Sequence, residues 1–373
     1  MLKEFTDKIK KNAKIALYGA GSCAEVIRDY IETNRKDVEI EFFIDSYKGN
    51  SIKDGLKVIN IKDFENYKNK IDTALITVRQ ASCHTDAIFK YLGINHFVIP
   101  KKLESYIRTM KYNDKQKQAL MVFETRENKE LYNLLWDCKR GIKNYSEVEN
   151  YVSNKYNISK TGYFRDYFKQ YLEYINKDAI ETIYDGGFCN GIHALAFKKE
   201  LPNLQKIYAF EPMYDKFKDK NFDYFLTKEN FVEIIPNAMW DKECELDFFE
   251  NTASSAASRV RGVKGVKEQN KNEILNKIKA QSIDNIRKEK NKKADFIKMD
   301  IEGSELYALQ GAAETIAKDR PQLAISIYHS SDDFVNIPIY LKSHLKNYKF
   351  YLGHYSYNYC ESVIYAIPDE LNK

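Results

Sequence analysis

TIYDGGFCNGIHALAFKKELPNLQKIYAFE (Thr182–Glu211) decides the fold of this chain. A β-rich run, Thr182-Ile183-Tyr184, ends in Asp185 and is followed at once by Gly186 and Gly187. After a short gap, Gly191 opens a helical pattern through Ala194, Leu195 and Phe197. A second apolar run, Ile207 to Phe210, ends in Glu211. Strand, glycine turn, helix, strand and acid make half of a nucleotide-type α/β site. Glycines let the backbone approach a ligand closely, and an acid at the next strand's end accepts two vicinal ribose hydroxyls. Dinucleotide sites usually read G-x-G-x-x-G and aim a helix N-terminus at a pyrophosphate. Here a carboxylate precedes the glycines, as expected for a ligand with a positive amino-acid end, which is the character of S-adenosylmethionine. An ordinary βαβ crossover with a tight turn gives the same local pattern.

With 373 residues the chain exceeds the usual single-domain range, so two domains are expected. The 59 basic and 54 acidic residues are interspersed, and the net charge of +5 is a thin surplus rather than a stripe. That pattern gives no support to a nucleic-acid partner. Six cysteines are scattered without a C-x-x-C pair, which argues against structural zinc and disulfides and fits a reducing compartment. The N-terminus has no apolar leader core, and no run approaches eighteen apolar residues. A cytoplasmic, soluble protein without a membrane segment is expected, with a homo-oligomer left open.

Residues 1–105 read as a small parallel α/β domain. Ile15 to Tyr18 is a buried-strand run, and Gly19, Gly21 and Ala24 form G-x-G-x-x-A ahead of a helical pattern. A second strand, Ile40 to Ile44, ends in Asp45, twenty-four residues beyond Gly21, near where a ribose-binding acid stands in dinucleotide folds. Further strands are expected at 56–59, 74–78 and 97–99, five in all. This part resembles the small Rossmann-like domain of sugar-modifying enzymes such as the bacterial sugar acetyltransferases, where it holds a UDP-sugar. The resemblance implies that Gly19, Gly21, Ser22 and Asp45 face a nucleotide or nucleotide-sugar. A scaffolding or dimerisation domain is the alternative, and a nicotinamide-binding one a weaker rival.

Residues 106–175 read as a helical connector. Leu131, Leu134, Leu135 and Cys138 share one helical face, and an aromatic stripe runs from Tyr163 to Leu172. Such a stripe is usually core, but its place before the glycine turn lets Tyr163 close over a ligand.

From 176 to 373 the α/β alternation resumes. The stretch Asn251–Gly265 is small, polar and glycine-bearing, and reads as a mobile loop. The tail alternates as in an antiparallel edge hairpin. In this region YDGGFCNG, AFEP, PNAMW, QSIDNI, FIKMDIEGSELYALQGA, RPQLAISIYHS and ESVIYAIP stand in one order. That order resembles the FkbM-type S-adenosylmethionine-dependent methyltransferases, whose fold is the class I methyltransferase Rossmann-like α/β sheet. Phe188 and Cys189 depart from the small or polar residues common in the family's glycine turn.

Carried over by position, the resemblance implies that Asp185, Gly186, Gly187 and Gly191 serve the methionine end of the donor. Glu211 takes its ribose, and Asn237 and Ala238 meet its adenine. Asp300 and Glu302 stand at the mouth of the site. A sugar hydroxyl has a pKa far above neutrality, so O-methylation needs a base or a metal. His329, ending a core strand on the ligand side with an ordinary imidazole pKa, is the first choice of base. His354 is the second candidate for the base and a substrate contact. Asp300, Glu302 and Asp333 are a hard-cation set for Mg²⁺, ranked below the histidine, and no metal is assigned. The expected function is methylation of a sugar, nucleotide-linked sugar or glycan hydroxyl. A protein or lipid-linked acceptor, a bifunctional NAD-binding protein and an inactive binding module are the rivals.

Overall fold

The computed structural model describes residues 1–47, 49, 51–78, 82–156, 169–217, 230–251, 258–263 and 273–372. It forms two compact units, Met1–Lys111 with Asp137–Lys143, and Tyr112–Trp136 with Asn144–Lys373. Among the described residues no helix is long and apolar enough to cross a membrane.

The first unit holds strands β1 (Lys14–Tyr18), β2 (Glu39–Asp45), β3 (Ser51–Lys53), β4 (Leu56–Asn60), β5 (Thr73–Ile76) and β6 (Asn95–Val98), in the order β3-β4-β2-β1-β5-β6. All neighbours are parallel except β3, which turns back antiparallel along β4. That short edge strand is additional to the five expected. Side chains along β1 alternate: Ile15 and Leu17 enter one apolar cluster, Ala16 and Tyr18 the other. A strand buried on both faces reads as a continuous apolar run for this reason.

The second unit is built on β7 (Thr182–Gly186), β8 (Lys206–Phe210), β9 (Val232–Ile235), β14 (Phe296–Met299), β15 (Gln322–Ser326), β16 (Tyr348–His354) and β17 (Ser362–Pro368). Their order is β16-β17-β15-β14-β7-β8-β9. The first five are parallel, and β17 lies antiparallel between β15 and β16, so the expected hairpin is inside the sheet on one strand and at its edge on the other. The chain steps outward from β7 to β9 and returns to β14. The order therefore reverses between β7 and β14, where ligands of open α/β sheets bind.

Between β9 and β14 lies a second sheet, of which the sequence leads one to expect only a strand at Leu246–Phe249: β10 (Ala238–Met239), β11 (Cys244–Asn251), β12 (Arg259–Val260) and β13 (Glu273–Gln281), in the order β10-β13-β11-β12. Arg259 and Val260 pair with Phe249 and Phe248, so part of the expected loop is strand. Residues 252–257 and 264–265 of that loop lie outside the described residues. Phe248, Val260, Ile278 and Ala280 give this sheet its own apolar cluster. The helix Arg126–Lys139 buries Leu131, Tyr132, Leu135 and Trp136, whereas Leu134, expected on that face, is half-buried. Tyr132 and Trp136 both stack on Phe334 of the helix Ser331–His344, which was also not anticipated.

Candidate active site

Parallel register sets Asp185 of β7 beside Lys298 of β14, one residue before the sheet's reversal opens. Both side chains are 1% exposed, and Lys298 Nζ lies 2.9 Å from Asp185 Oδ1. The same ammonium donates to the carbonyls of Gly186 and Gly187, each at 2.9 Å. Burial raises the Asp185 pKa, against the opposing charge and hydrogen bond of Lys298. Asp185 thus lies beneath the glycine turn, and its partner ties the turn down. Gly187 has a φ of +76°, and a Cβ there would sit 1.8 Å from the Asp300 carbonyl oxygen, so no other residue fits. A Cβ on Gly186 would meet Met239 Sδ at 2.8 Å. Gly191, also left-handed, caps the helix Ile192–Glu200.

At the end of β8, Glu211 accepts the backbone N–H groups of Cys189 (2.9 Å) and Met213 (3.0 Å). Burial raises its pKa, and those two bonds oppose the shift. The carboxylate lines a cavity of about 660 Å³ whose walls also include Gly187, Ala238, Asp300, Glu302 and His329. That volume is in the range of small-molecule sites. Asn237, the other residue expected at the adenine end, bonds through its N–H to Ile235 O at 2.7 Å and is not part of the wall.

The opposite end of the cavity is acidic. Asp300 follows β14 and receives the hydroxyls of Tyr171 (2.7 Å to Oδ2) and Tyr328 (2.9 Å to Oδ1). His329, three residues beyond β15, sets Nε2 3.0 Å from Asp300 Oδ1 and 3.1 Å from Glu305 Oε1. Its Nδ1 lies 3.5 Å from Glu302 Oε2. Burial lowers the His329 pKa, but the charges of Glu305 and Glu302 and the bond to Asp300 outweigh it and raise it well above the ordinary value. The expected imidazole with an ordinary pKa is therefore corrected: three carboxylates surround this ring and keep it protonated. Burial works to raise Asp300, yet His329 and Lys298 hold it well below the usual carboxylate range. Glu302 is pushed up to about 7 by burial, against the His329 charge. Asp333 is also raised to about 7, by burial and by Glu305. Its Oδ2 accepts the Ser330 hydroxyl at 2.7 Å, which caps a helix, so Asp333 does not join Asp300 and Glu302 as a hard-cation set.

His354 is fully buried on β16, with Nδ1 2.8 Å from Ser362 Oγ across the hairpin, and it lines no part of the cavity. This corrects its reading as a substrate contact. Tyr163 lies outside the described residues. In the first unit, Gly19, Gly21, Ser22 and Asp45 gather at one end of the sheet. Gly19 has a φ of +96° and would clash with Val78 if it carried a Cβ. Gly21 caps the helix that Ser22 begins, and Asp45 accepts the N–H groups of Tyr47 (2.8 Å) and Ala20 (3.4 Å). Lys298, Glu305 and the two tyrosines were not anticipated. Lys298 and Glu305 both stand in the block FIKMDIEGSELYALQGA, and Lys298 is further marked as the one ionisable residue within the apolar strand Phe296–Met299.

Residues 185–351 match the family model described as the methyltransferase FkbM domain. No curated protein matches the chain. The crystal structure of a methyltransferase FkbM from Methylobacillus flagellatus aligns at a TM-score of 0.52 and 16% identity, over 98% of this chain and 92% of that one. Partial likenesses include a precorrin-6y C5,15-methyltransferase from Geobacter metallireducens (TM-score 0.33, 10% identity, 53% of this chain and 84% of that one). Another is a UDP-D-quinovosamine 4-dehydrogenase from Vibrio fischeri (TM-score 0.22, 22% identity, 29% and 87%). With its sheet order, its glycine turn and this family match, the stretch 185–351 is an FkbM-type methyltransferase domain.

Proposed function

We propose that the chain uses S-adenosylmethionine to methylate a hydroxyl of a sugar, nucleotide-linked sugar or glycan precursor in the cytoplasm. One observation carries the reading: a single cavity joins the Glu211 carboxylate at one end to Asp300, Glu302 and His329 at the other. Glu211 is suited to the ribose hydroxyls, and the tied-down turn at Gly187 lets the donor lie against backbone. Asp300 and Glu302 would offer negative charge to the donor's positive sulfonium.

The chemistry is an in-line displacement, in which positioning supplies most of the rate. The acceptor oxygen forms a bond to the methyl carbon as the carbon–sulfur bond breaks, and that electron pair stays on sulfur as S-adenosylhomocysteine. The hydroxyl proton passes to Glu302, whose side chain is 31% exposed and the most open of the His329 cluster. The His329 ring faces that carboxylate at 3.5 Å, and the nearby Asp300 charge raises its proton affinity. For the first unit, the gathering of Gly19, Gly21, Ser22 and Asp45 supports a nucleotide-sugar-holding role for residues 1–105.

Methyl-labelled donor incubated with the full chain and a panel of nucleotide-sugars and surface glycans tests this. Label in an alkali-stable ether is expected. Label only in an alkali-labile ester, in protein or in lipid would replace the sugar hydroxyl as acceptor, and absence of donor binding would overturn the reading.

A further inference from the structure

We propose that Asp300, Glu305 and His329 bind one first-row divalent cation of the Mn²⁺ or Zn²⁺ class at the acceptor end of the cavity. One donor atom from each residue falls within 4.8 Å of the other two. His329 Nε2 faces two carboxylate oxygens at once, at 3.0 and 3.1 Å, and a single N–H cannot point at both. A cation held at about 2.0–2.2 Å from each atom, displacing the proton that the metal-free imidazolium carries on Nε2, satisfies all three together.

The surroundings are those of a metal-binding histidine. The ring's other nitrogen lies 3.5 Å from a Glu302 oxygen, an ion-pair distance at which the carboxylate favours the proton on Nδ1 and leaves Nε2 for the metal. Both oxygens of Asp300 are steadied by tyrosine hydroxyls, and Glu305 Oε1 by the N–H of Ile301 at 2.8 Å. An independent observation comes from Ser304, which is 2% exposed and lines the same cavity, yet whose hydroxyl has no hydrogen-bond partner among the described residues. Glu305 Oε2, on a side chain that is fully buried, is likewise without one among them. Buried polar atoms left unpaired beside three convergent donors call for a ligand. An imidazole among the donors favours a transition ion over Mg²⁺, and the donor set differs from the Asp300, Glu302 and Asp333 alternative that ranked below the histidine base in the sequence.

A cation here would take the acceptor hydroxyl as a further ligand and lower its pKa. That purpose rests on the methyl-transfer reading, whereas the site itself does not. The test is therefore run without methyl donor. The full chain, stripped with a chelator and dialysed, is titrated with Co²⁺ alone and followed by calorimetry and visible absorption. One saturable equivalent with a mixed nitrogen–oxygen spectrum is expected. His329→Gln and Glu305→Gln should each weaken binding at least about tenfold, Glu302→Gln about tenfold through the ring's other nitrogen, and Asp247→Asn on the remote second sheet not at all. Thermal unfolding of the metal-free variants shows which remain folded. Absence of one-equivalent binding by the unmodified chain overturns the site, whatever the variants do. So does undiminished binding in a folded His329→Gln. Donor binding measured separately keeps failure of the site distinct from failure of the methyl-transfer reading.

Discussion

Replacing Lys298 by methionine removes the cation beneath the glycine turn while keeping most of the side chain's bulk. The ammonium lies 2.9 Å from Asp185 Oδ1 and from two backbone carbonyls, and both charged residues are 1% exposed. Breaking a buried pair from one side costs about 3–5 kcal/mol, because the remaining charge is left uncompensated. For a domain of this size, that lowers the melting temperature by roughly 6–20 °C. The effect carries a pH signature. Burial already raises the Asp185 pKa above its unfolded value, and loss of Lys298 raises it further. Between the unfolded and folded pKa values the folded state binds more protons, so stability falls as pH rises through that window. The deficit of Lys298→Met relative to the unmodified chain should thus be largest at neutral pH and shrink on acidification. Urea titrations followed by circular dichroism over a series of pH values measure it. The double variant Lys298→Met/Asp185→Leu, lacking both charges, should recover at least half of the lost stability. A deficit below about 1 kcal/mol, or one unchanged by pH, refutes the assignment of this pair as the anchor of the turn.

Gly187→Ala places a Cβ 1.8 Å from the Asp300 carbonyl at a left-handed φ, and should cost about 3 kcal/mol or more, read by thermal unfolding. Gly311→Ala has an ordinary backbone angle but brings its Cβ 2.2 Å from the Trp240 carbonyl, so a loss of about 1–3 kcal/mol is expected from overpacking alone. Glu211→Ala should weaken S-adenosylmethionine in calorimetry about a hundredfold, through two charged hydrogen bonds to the ribose. A folded Glu211→Ala with unchanged donor affinity removes that residue from the donor site.

The sheet and its glycine turn were legible because strands buried on both faces read as apolar runs, and the acids at their ends mark the ligand edge. Glu211 and Asp300, expected by that rule, line the cavity, whereas Asp185 lies beneath the turn against Lys298. Of the second sheet only β11 was legible, because its long partner β13 breaks alternation: Ile274 and Leu275 are adjacent and exposed, and only from Lys277 do charged and apolar residues alternate. The position of His329 followed from its strand, but its protonation did not. That depends on Glu305, which comes five residues after Asp300 through a left-handed turn at Glu302 and Gly303. His354 was chosen by residue type, and only the register of the hairpin shows that it pairs with Ser362 inside the sheet.

The diagnostic block FIKMDIEGSELYALQGA owes its length to four separate constraints on one piece of chain. Lys298 points under the donor turn, and two residues later Asp300 faces the acceptor end, so one strand end serves both poles of the cavity. The left-handed Glu302 and Gly303 turn the backbone so that Glu305 comes back onto the Ile301 N–H and the His329 ring. Tyr307 then stacks on Trp240 at 4.3 Å, and Gly311 makes room for the Trp240 carbonyl, which locks the second sheet to the same helix. Lys298 also helps hold the Asp300 pKa down. A perturbation of the donor turn is therefore felt electrostatically at the acceptor end, two residues away along a rigid strand. Loss of Lys298 should raise the proton affinity of Asp300 as well as loosen the turn, so donor affinity and turnover should decline together rather than separately.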